Sequence, residues 1–308
     1  MAWLGLAGLC LRGVSAAEFP DWAYPVNPPL GVFDAHQPRH APGSTRQFTQ
    51  AQIEDDFAPP DWFPQDHPVM PEVVAVGVRP LVKACSKCHL PTGGGHPESS
   101  DLAGLPASYI ISQIADFKSG ARKGNRSTSM RPIAGAVSGS DLQLAAAYYA
   151  SLKPLYGRTR IVEADQVPRT KLGTGGMRFA LKDGSTEPIG SRIIVVPADP
   201  ALAEIRDWRP GFTAYVPRGS VERGKRLVAT GGRSGIPCAT CHGELLDGKD
   251  NVPRLAGREP LYLFRQLNDF KAGTRAGPLA PLMQPVVAGL EMDDMIAVVA
   301  YLATRDPK

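Results

Sequence analysis

The phrase DFKSGAR, beginning at Asp116, returns as DFKAGTR at Asp269, 153 residues further on. No other feature restricts the possible folds of this chain so strongly, because the same offset relates far more than seven residues. It carries Cys85 onto Cys238, Cys88 onto Cys241 and His89 onto His242. It also carries Tyr109 onto Tyr262, Gln113 onto Gln266, Met130 onto Met283, Pro132 onto Pro285, Tyr148 onto Tyr301 and Pro154 onto Pro307. No gap is needed between residues 85 and 154, and roughly a third of the aligned positions are identical, too many for chance. Two copies are too few for a solenoid. The pattern predicts a duplicated domain of about 80 residues once a leading helix is included.

The cysteines fall inside the repeat. CSKCH supplies Cys85, Cys88 and His89; CATCH supplies Cys238, Cys241 and His242. C-x-x-C-H is the attachment signature of c-type haem. Two residues between the cysteines set both sulfurs on one face of a helical turn, where they meet two vinyl groups along one haem edge as thioethers. The next residue, histidine, then becomes the proximal ligand of the iron. A four-cysteine zinc site is a poor alternative, since the two pairs lie far beyond zinc-ribbon spacing. A redox-active C-x-x-C lacks a surrounding thioredoxin-like strand pattern. Structural disulfides are allowed in a secreted chain. None of the three explains a histidine after both pairs.

Each copy also has a methionine 41 residues after its histidine, Met130 in STSMRPIAG and Met283 in APLMQPVVAG. Both are expected in proline-flanked loops, as sixth ligands of the two irons. Such a methionine is elsewhere often a core filler, but cores seldom use polar, proline-flanked loops. Met/His ligation raises the reduction potential and fills both axial positions. His96 and Lys87 are nearby rivals without counterparts in the second copy, where Lys249 and Thr240 stand, and are expected at the surface.

Helices are expected to lead each copy, over residues 71–85 and 221–230. In the middle helices, Ile110, Ile114 and Phe117 share one face, as do Leu263, Leu267 and Phe270. Gly120 and Gly273 read as left-handed C-caps. Ser138 or Ser140, and Asp293, read as N-caps of the last helices. Arg122 and Arg275 read either as partners of a haem propionate or as solvated helix-end charges.

With these motifs in place, the chain resembles the diheme cytochromes c of the cytochrome c4 type. The likeness rests on C-x-x-C-H, LAG-x-x-x-x-Y, QI-x-DFKSG-x-R and AAAYYASLKP in the first copy. In the second it rests on CHGELLDG, P-x-LAG, QLNDFKAG-x-R, the Met283 segment and VVAYLA. It covers about half the chain. The resemblance implies a mainly α protein with two tandem class I cytochrome c domains, 71–154 and 221–308. It implies two covalently attached haem c groups, on Cys85 and Cys88 and on Cys238 and Cys241. His89 and Met130, and His242 and Met283, would be the axial pairs. It further implies a periplasmic electron carrier, with a quinol-oxidising complex or dehydrogenase as donor and an oxidase as acceptor. The alternatives are a cytochrome subunit of a periplasmic dehydrogenase and, less well supported by two symmetric methionines, a diheme enzyme of the peroxidase or thiosulfate dehydrogenase type. In the family a proline carbonyl orients the proximal histidine. Pro253 matches it, while the first copy has Ser100, which puts that bond in doubt.

Three stretches depart from the family pattern. Residues 1–17 read as a signal peptide that would take Cys10 with it, although a basic start is missing. Residues 18–70 form an irregular extension rich in proline and aromatics, with FPDWAYP and PPDWFPQ, and are expected as a structured strap, since tryptophans are costly to expose. Residues 155–220 form a long, partly β insertion in place of a short linker, with strand-like MRFAL, SRIIVVP and FTAYVP. It is expected to pack on a haem domain, because a lone hairpin is marginal. The extension is acidic and the insertion basic, which suits either mutual packing or the orientation of a charged redox partner. Nothing resembles a nucleic-acid module, and no segment reaches the ~20 apolar residues of an integral membrane span.

Overall fold

In a computed structural model the described residues are 19–26, 28, 33–124 and 128–306. The predicted signal segment with Cys10, and Pro307, lie outside them. The extension is folded in two places. Its first residues lie on the C-terminal unit: Trp22 packs at a tilt against Phe264 with centroids 4.6 Å apart, and the Tyr24 hydroxyl donates to Asp269 (3.1 Å). Its later part forms a hairpin, β1 (Pro38–His40) with β2 (Gln47–Thr49), and a short helix α1 (Gln50–Glu54). Thr49 and Gln52 close a capping box at the start of α1. Ala41, Ile53, Trp62 and Phe63 build a small core there together with Ile205 of the insertion.

The first unit departs from expectation at its start. The leading helix is a single turn, α2 (Glu72–Ala75), followed by a tight hairpin of β3 (Gly77–Val78) and β4 (Val82–Lys83). Gly77 takes a left-handed φ of 77°, and Pro80 forces the residue before it out of the helical region. Those two residues outweigh the apolar spacing. The haem-motif helix α3 (Cys85–His89), the middle helix α4 (Ala107–Ser119), α5 (Met130–Ala136) and the last helix α6 (Gly139–Ser151) follow. Gly120 ends α4 with φ 77°, and Ser138 caps α6, as expected. Tyr109, Ile110, Ala145, Ala146 and Tyr149 make the core of this unit with Val73, Val74 and Val82.

The insertion holds more β structure than three strands. It contains β5 (Thr159–Glu163), β6 (Gln166–Pro168), β7 (Thr170–Leu172), β8 (Arg178–Ala180), β9 (Thr186–Pro188), β10 (Ile194–Pro197), the short helix α7 (Pro200–Glu204) and β11 (Phe212–Val216). Its sheet runs β10-β11-β5, with Ile194 opposite Tyr215 antiparallel and Phe212 opposite Thr159 parallel. One face of the sheet, with Ile193, Val195, Phe212, Ala214 and Val216, packs into the core of the second unit. The insertion is thus seated on a helical unit, as expected.

The second unit has a full leading helix, α8 (Ser220–Thr230), then α9 (Ala239–His242), α10 (Pro260–Lys271), α11 (Ala280–Ala288) and α12 (Met292–Ala303). The last helix is capped by Glu291, with Asp294 completing a capping box, so Asp293 lies inside the first turn rather than at the cap. In α8, Gly224 lies so close to α12 that a Cβ would sit 1.9 Å from the Ala297 carbonyl oxygen.

The repeated phrase forms the joint between the units. The segments after α4 and α10 run antiparallel: Lys123 N–H donates to Thr274 O (2.8 Å) and Ala276 N–H to Ala121 O (2.7 Å), around a bridge between Arg122 and Arg275. Arg122 crosses to Gln266 (2.7 Å) and Arg275 crosses to Gln113 (2.8 Å) and the Tyr109 hydroxyl (2.9 Å). A Cβ on Gly124 would strike the Asp269 carboxylate, and one on Gly277 the Asp116 carboxylate. Each copy of D-F-K-x-G-x-R-x-G therefore fits the other across a local pseudo-twofold axis. Arg122 and Arg275 are buried, not solvated.

Candidate haem-binding sites

In α3, Cys85, Cys88 and His89 share one helical turn and are half-buried. In the second unit Cys238 is the N-cap of α9, Cys241 is exposed and His242 buried. His89 Nδ1 lies 2.8 Å from Ser100 O, and His242 Nδ1 lies 2.8 Å from Pro253 O. A carbonyl only accepts, so Nδ1 carries the proton and Nε2 keeps its lone pair for a metal. Burial pushes both histidines below their ordinary pKa, which keeps them neutral, the form that ligates iron. The doubt over Ser100 is removed: the acceptor is a backbone carbonyl, which serine offers as well as proline.

The four thiols are free. Burial pushes Cys85 up to about 12 and Cys238 to about 11, opposite to the depressed values of redox-active C-x-x-C thiols. Among the described residues no cluster of three or more His, Cys, Asp or Glu side chains could hold a metal ion. Paired thiols followed by a neutral, oriented histidine fit thioether attachment of a haem.

Met130 and Met283 are half-exposed and lie in short helices, not loops: Met130 opens α5 and Met283 sits in α11. Pro132 is the third residue of α5, where the N–H it lacks has no partner within the helix. Pro285 lies inside α11 and removes one helical bond. His96 is half-buried, with Nε2 3.2 Å from Ser99 Oγ. Lys87 is not at the surface. It is 5% exposed and donates to Ile53 O (3.0 Å), and burial beside Arg206 brings its ammonium down to about 8.

Sequence reasoning missed one buried ion group. Asp101 pairs with Arg254 and with Arg258 Nε (2.8 Å), and Arg258 also donates to Ser100 Oγ (2.8 Å). Positions 101 and 254 are equivalent in the repeat, so one copy supplies the acid and the other the base. Their neighbours Ser100 and Pro253 carry the carbonyls that hold the two histidines. The signal was the opposite charge at an equivalent position, readable only once the two copies are known to face each other. Ser100→Ala is expected to lose the Arg258 bond and about 1 kcal/mol of stability in denaturant unfolding, while the carbonyl bond to His89 remains.

At the joint, Arg122 and Arg275 bond only neutral partners among the described residues, Gln113, Gln266, Tyr109 and Tyr262. Burial alone would push the Tyr262 hydroxyl up, yet Arg122, Arg258 and Arg275 bring it down to about 7. Asp116 and Asp269 lie close enough to offset part of that positive charge.

The sequence pattern of the cytochrome c family matches residues 221–306. Over 75 residues the chain is 37% identical to cytochrome c-554(547) of Halothiobacillus neapolitanus, spanning 22% of this chain and 82% of that protein. The chain belongs to the cytochrome c family. It is 27% identical over 231 residues to cytochrome c4 of Azotobacter vinelandii, covering 71% of this chain and 82% of that protein. It is also 27% identical over 236 residues to the thiosulfate dehydrogenase electron acceptor of Stutzerimonas stutzeri, covering 75% and 83%. The chain is thus a c4-like cytochrome, mainly α, and family membership brings with it covalent haem c and electron transfer. No described helix is long and apolar enough to cross a membrane.

Proposed function

We propose that the chain is a diheme electron carrier of the periplasm, with its haem domains at residues 71–154 and 221–308. Cys85 and Cys88 would attach one haem c, and Cys238 and Cys241 the other. His89 with Met130, and His242 with Met283, would ligate the irons. The observation that carries this reading is the repeated histidine geometry. Each ring is held through Nδ1 by a carbonyl eleven residues later, with Nε2 left to bind. The haems supply one-electron couples when bound. The protein's part is to fix them by thioethers and to hold the imidazoles neutral and oriented. Arg122 and Arg275 would offset propionate charge at the joint. With both axial positions filled by protein, neither iron is a substrate site.

The donor is proposed as a quinol-oxidising complex or dehydrogenase and the acceptor as an oxidase. A second reading makes the chain the dedicated electron acceptor of a periplasmic dehydrogenase. It is favoured by the relative named a thiosulfate dehydrogenase electron acceptor, and by an extension and insertion that a plain carrier does not need. Spectroelectrochemical titration of the haem-loaded protein tests the ligand set. Two high-potential steps that keep the methionine–iron charge-transfer band are expected. A low-potential step, or a haem without the band, would remove Met130 or Met283 as a ligand and reopen the enzyme reading. Co-purification with a catalytic subunit separates the second reading from a free carrier.

A further inference from the structure

The two haem-motif helices have the same sequence pattern and opposite surroundings. Between the cysteines of the first lie Ser86 and Lys87, both buried; between those of the second lie half-buried Ala239 and exposed Thr240, followed by exposed Cys241. The cover over the first is built, not incidental. Ile53 O, in the extension, accepts from Lys87 Nζ (3.0 Å) and from Arg206 Nε (3.3 Å), and Arg206 Nη1 donates to Lys87 O (2.5 Å). One carbonyl thus ties together the extension, the first motif and the insertion. Trp62 Nε1 adds a bond to Ile205 O (2.7 Å), and Arg209 lies 3.5 Å over the Phe63 ring. Burying the lysine and half-burying the arginine costs desolvation, offset here by charge-assisted bonds to carbonyls.

The segments that follow the motifs differ in the same sense. After His89 the chain is glycine-rich and closed over, with Arg158 of the insertion donating to Gly94 O (2.6 Å) and Gly95 O (2.9 Å). After His242, the residues Glu244, Leu245, Asp247, Lys249 and Asp250 are exposed, and Leu245 keeps 49% of its surface in solvent. This is an apolar contact flanked by three carboxylates and one ammonium, beside the one exposed cysteine of the four. The equivalent positions in the first copy, Pro91, Thr92, Gly94, His96 and Pro97, offer no carboxylate.

We propose that redox partners dock on one side only, over the second motif at residues 240–251, and that the partner's docking face is basic. The extension and insertion close the equivalent face of the first unit. The charge on the open face fits a protein with lysines or arginines around its own redox centre, and such complementarity speeds encounter and sets orientation. This rests on the two-haem reading, since a cover over the first motif matters to partners only if that motif carries haem.

The test uses the full haem-loaded protein and, as probe, a strongly basic mono-haem cytochrome c. The open-face variant combines Glu244→Lys, Asp247→Lys and Asp250→Asn, asparagine being chosen because Asp250 has a φ of 52°. The control makes the same change of charge on the covered side with Asp34→Lys, Asp66→Lys and Glu72→Gln. Titration calorimetry at low ionic strength is expected to show the open-face variant bound about tenfold more weakly or worse, and the control within about twofold of the unmodified protein. Amide shifts on adding the probe should centre on residues 240–251. Equal weakening in both variants, or an open-face variant that binds normally, would overturn the proposal. Haem content is measured alongside. One haem per chain in the unmodified protein would instead overturn the two-haem reading, whatever the binding shows.

Discussion

Asp101→Ala is expected to lower the free energy of unfolding by about 3–5 kcal/mol, because it strands two buried guanidiniums. Arg254 is 3% exposed and Arg258 2%. Both lose their carboxylate, and the lost hydration cannot be regained by rotation to water. The same change loosens the loops that carry Ser100 O and Pro253 O, so His89 and His242 should both feel it. The pH dependence has a definite sign. Burial alone would raise the Asp101 carboxyl, but Arg254 and Arg258 outweigh it and hold it below its ordinary value. A depressed carboxyl contributes fully above its unfolded pKa of about 3.9, and its share is lost as pH falls through the lower folded value. Glu259 acts in the other direction. Burial raises it from 4.5 to about 8, so its unfavourable share grows as pH rises across that interval. Asp183, His89 and His242 are also held below their ordinary values, so the Asp101 share is read as the difference between the unmodified protein and Asp101→Ala below about pH 4. Denaturant unfolding as a function of pH should show a steep acid limb in the unmodified protein and a flatter one in Asp101→Ala. An unchanged midpoint would mean that the ion group adds nothing net.

Local rules reached the parts of this fold that local rules determine. The C-cap at Gly120, the N-cap at Ser138, the insertion strands around Phe179, Val195 and Ala214, and the two cysteine–histidine turns each depend on a few adjacent residues. They are where the sequence put them. The first leading helix is one turn long because Gly77 and Pro80 interrupt an apolar run that otherwise reads as helical. Lys87 departs from expectation for another reason. Its type says surface, and only the distant Ile53 carbonyl and the Arg206 guanidinium make burial tolerable. The joint shows the same limit most plainly. The repeat proves that Arg122 and Arg275 are equivalent, but no periodicity says that equivalent residues touch. The histidine acceptor was the reverse case. The bond in doubt at Ser100 is made by its carbonyl, a group present at every residue.

Gly224→Ala is expected to destabilise the protein by about 2 kcal/mol through overpacking. The sign makes the case decisive, since alanine in place of glycine within a helix otherwise gains about 1 kcal/mol. The added methyl would meet the Ala297 carbonyl oxygen at 1.9 Å and the Tyr301 Cβ at 2.9 Å. A backbone oxygen on a packed helix cannot swing aside, so α8 and α12 must part. That breaks the fit of Val228 with Val298 and Val299 and strains the 2.6 Å ion pair between Arg223 and Asp294. Gly224→Val should cost more, about 3 kcal/mol, with added bulk and poorer helix propensity. Hydrogen exchange should quicken in α8 and α12 while α4 and α6 keep their protection; a more stable Gly224→Ala protein would contradict the crossing. In the first unit the leading helix α2 begins at Pro71, its N-cap. There the leading helix is one turn long, and Val73 and Val74 meet the core in its place. The second unit keeps the helix crossing, while the first relies on the hairpin, the extension and the insertion to close the same core.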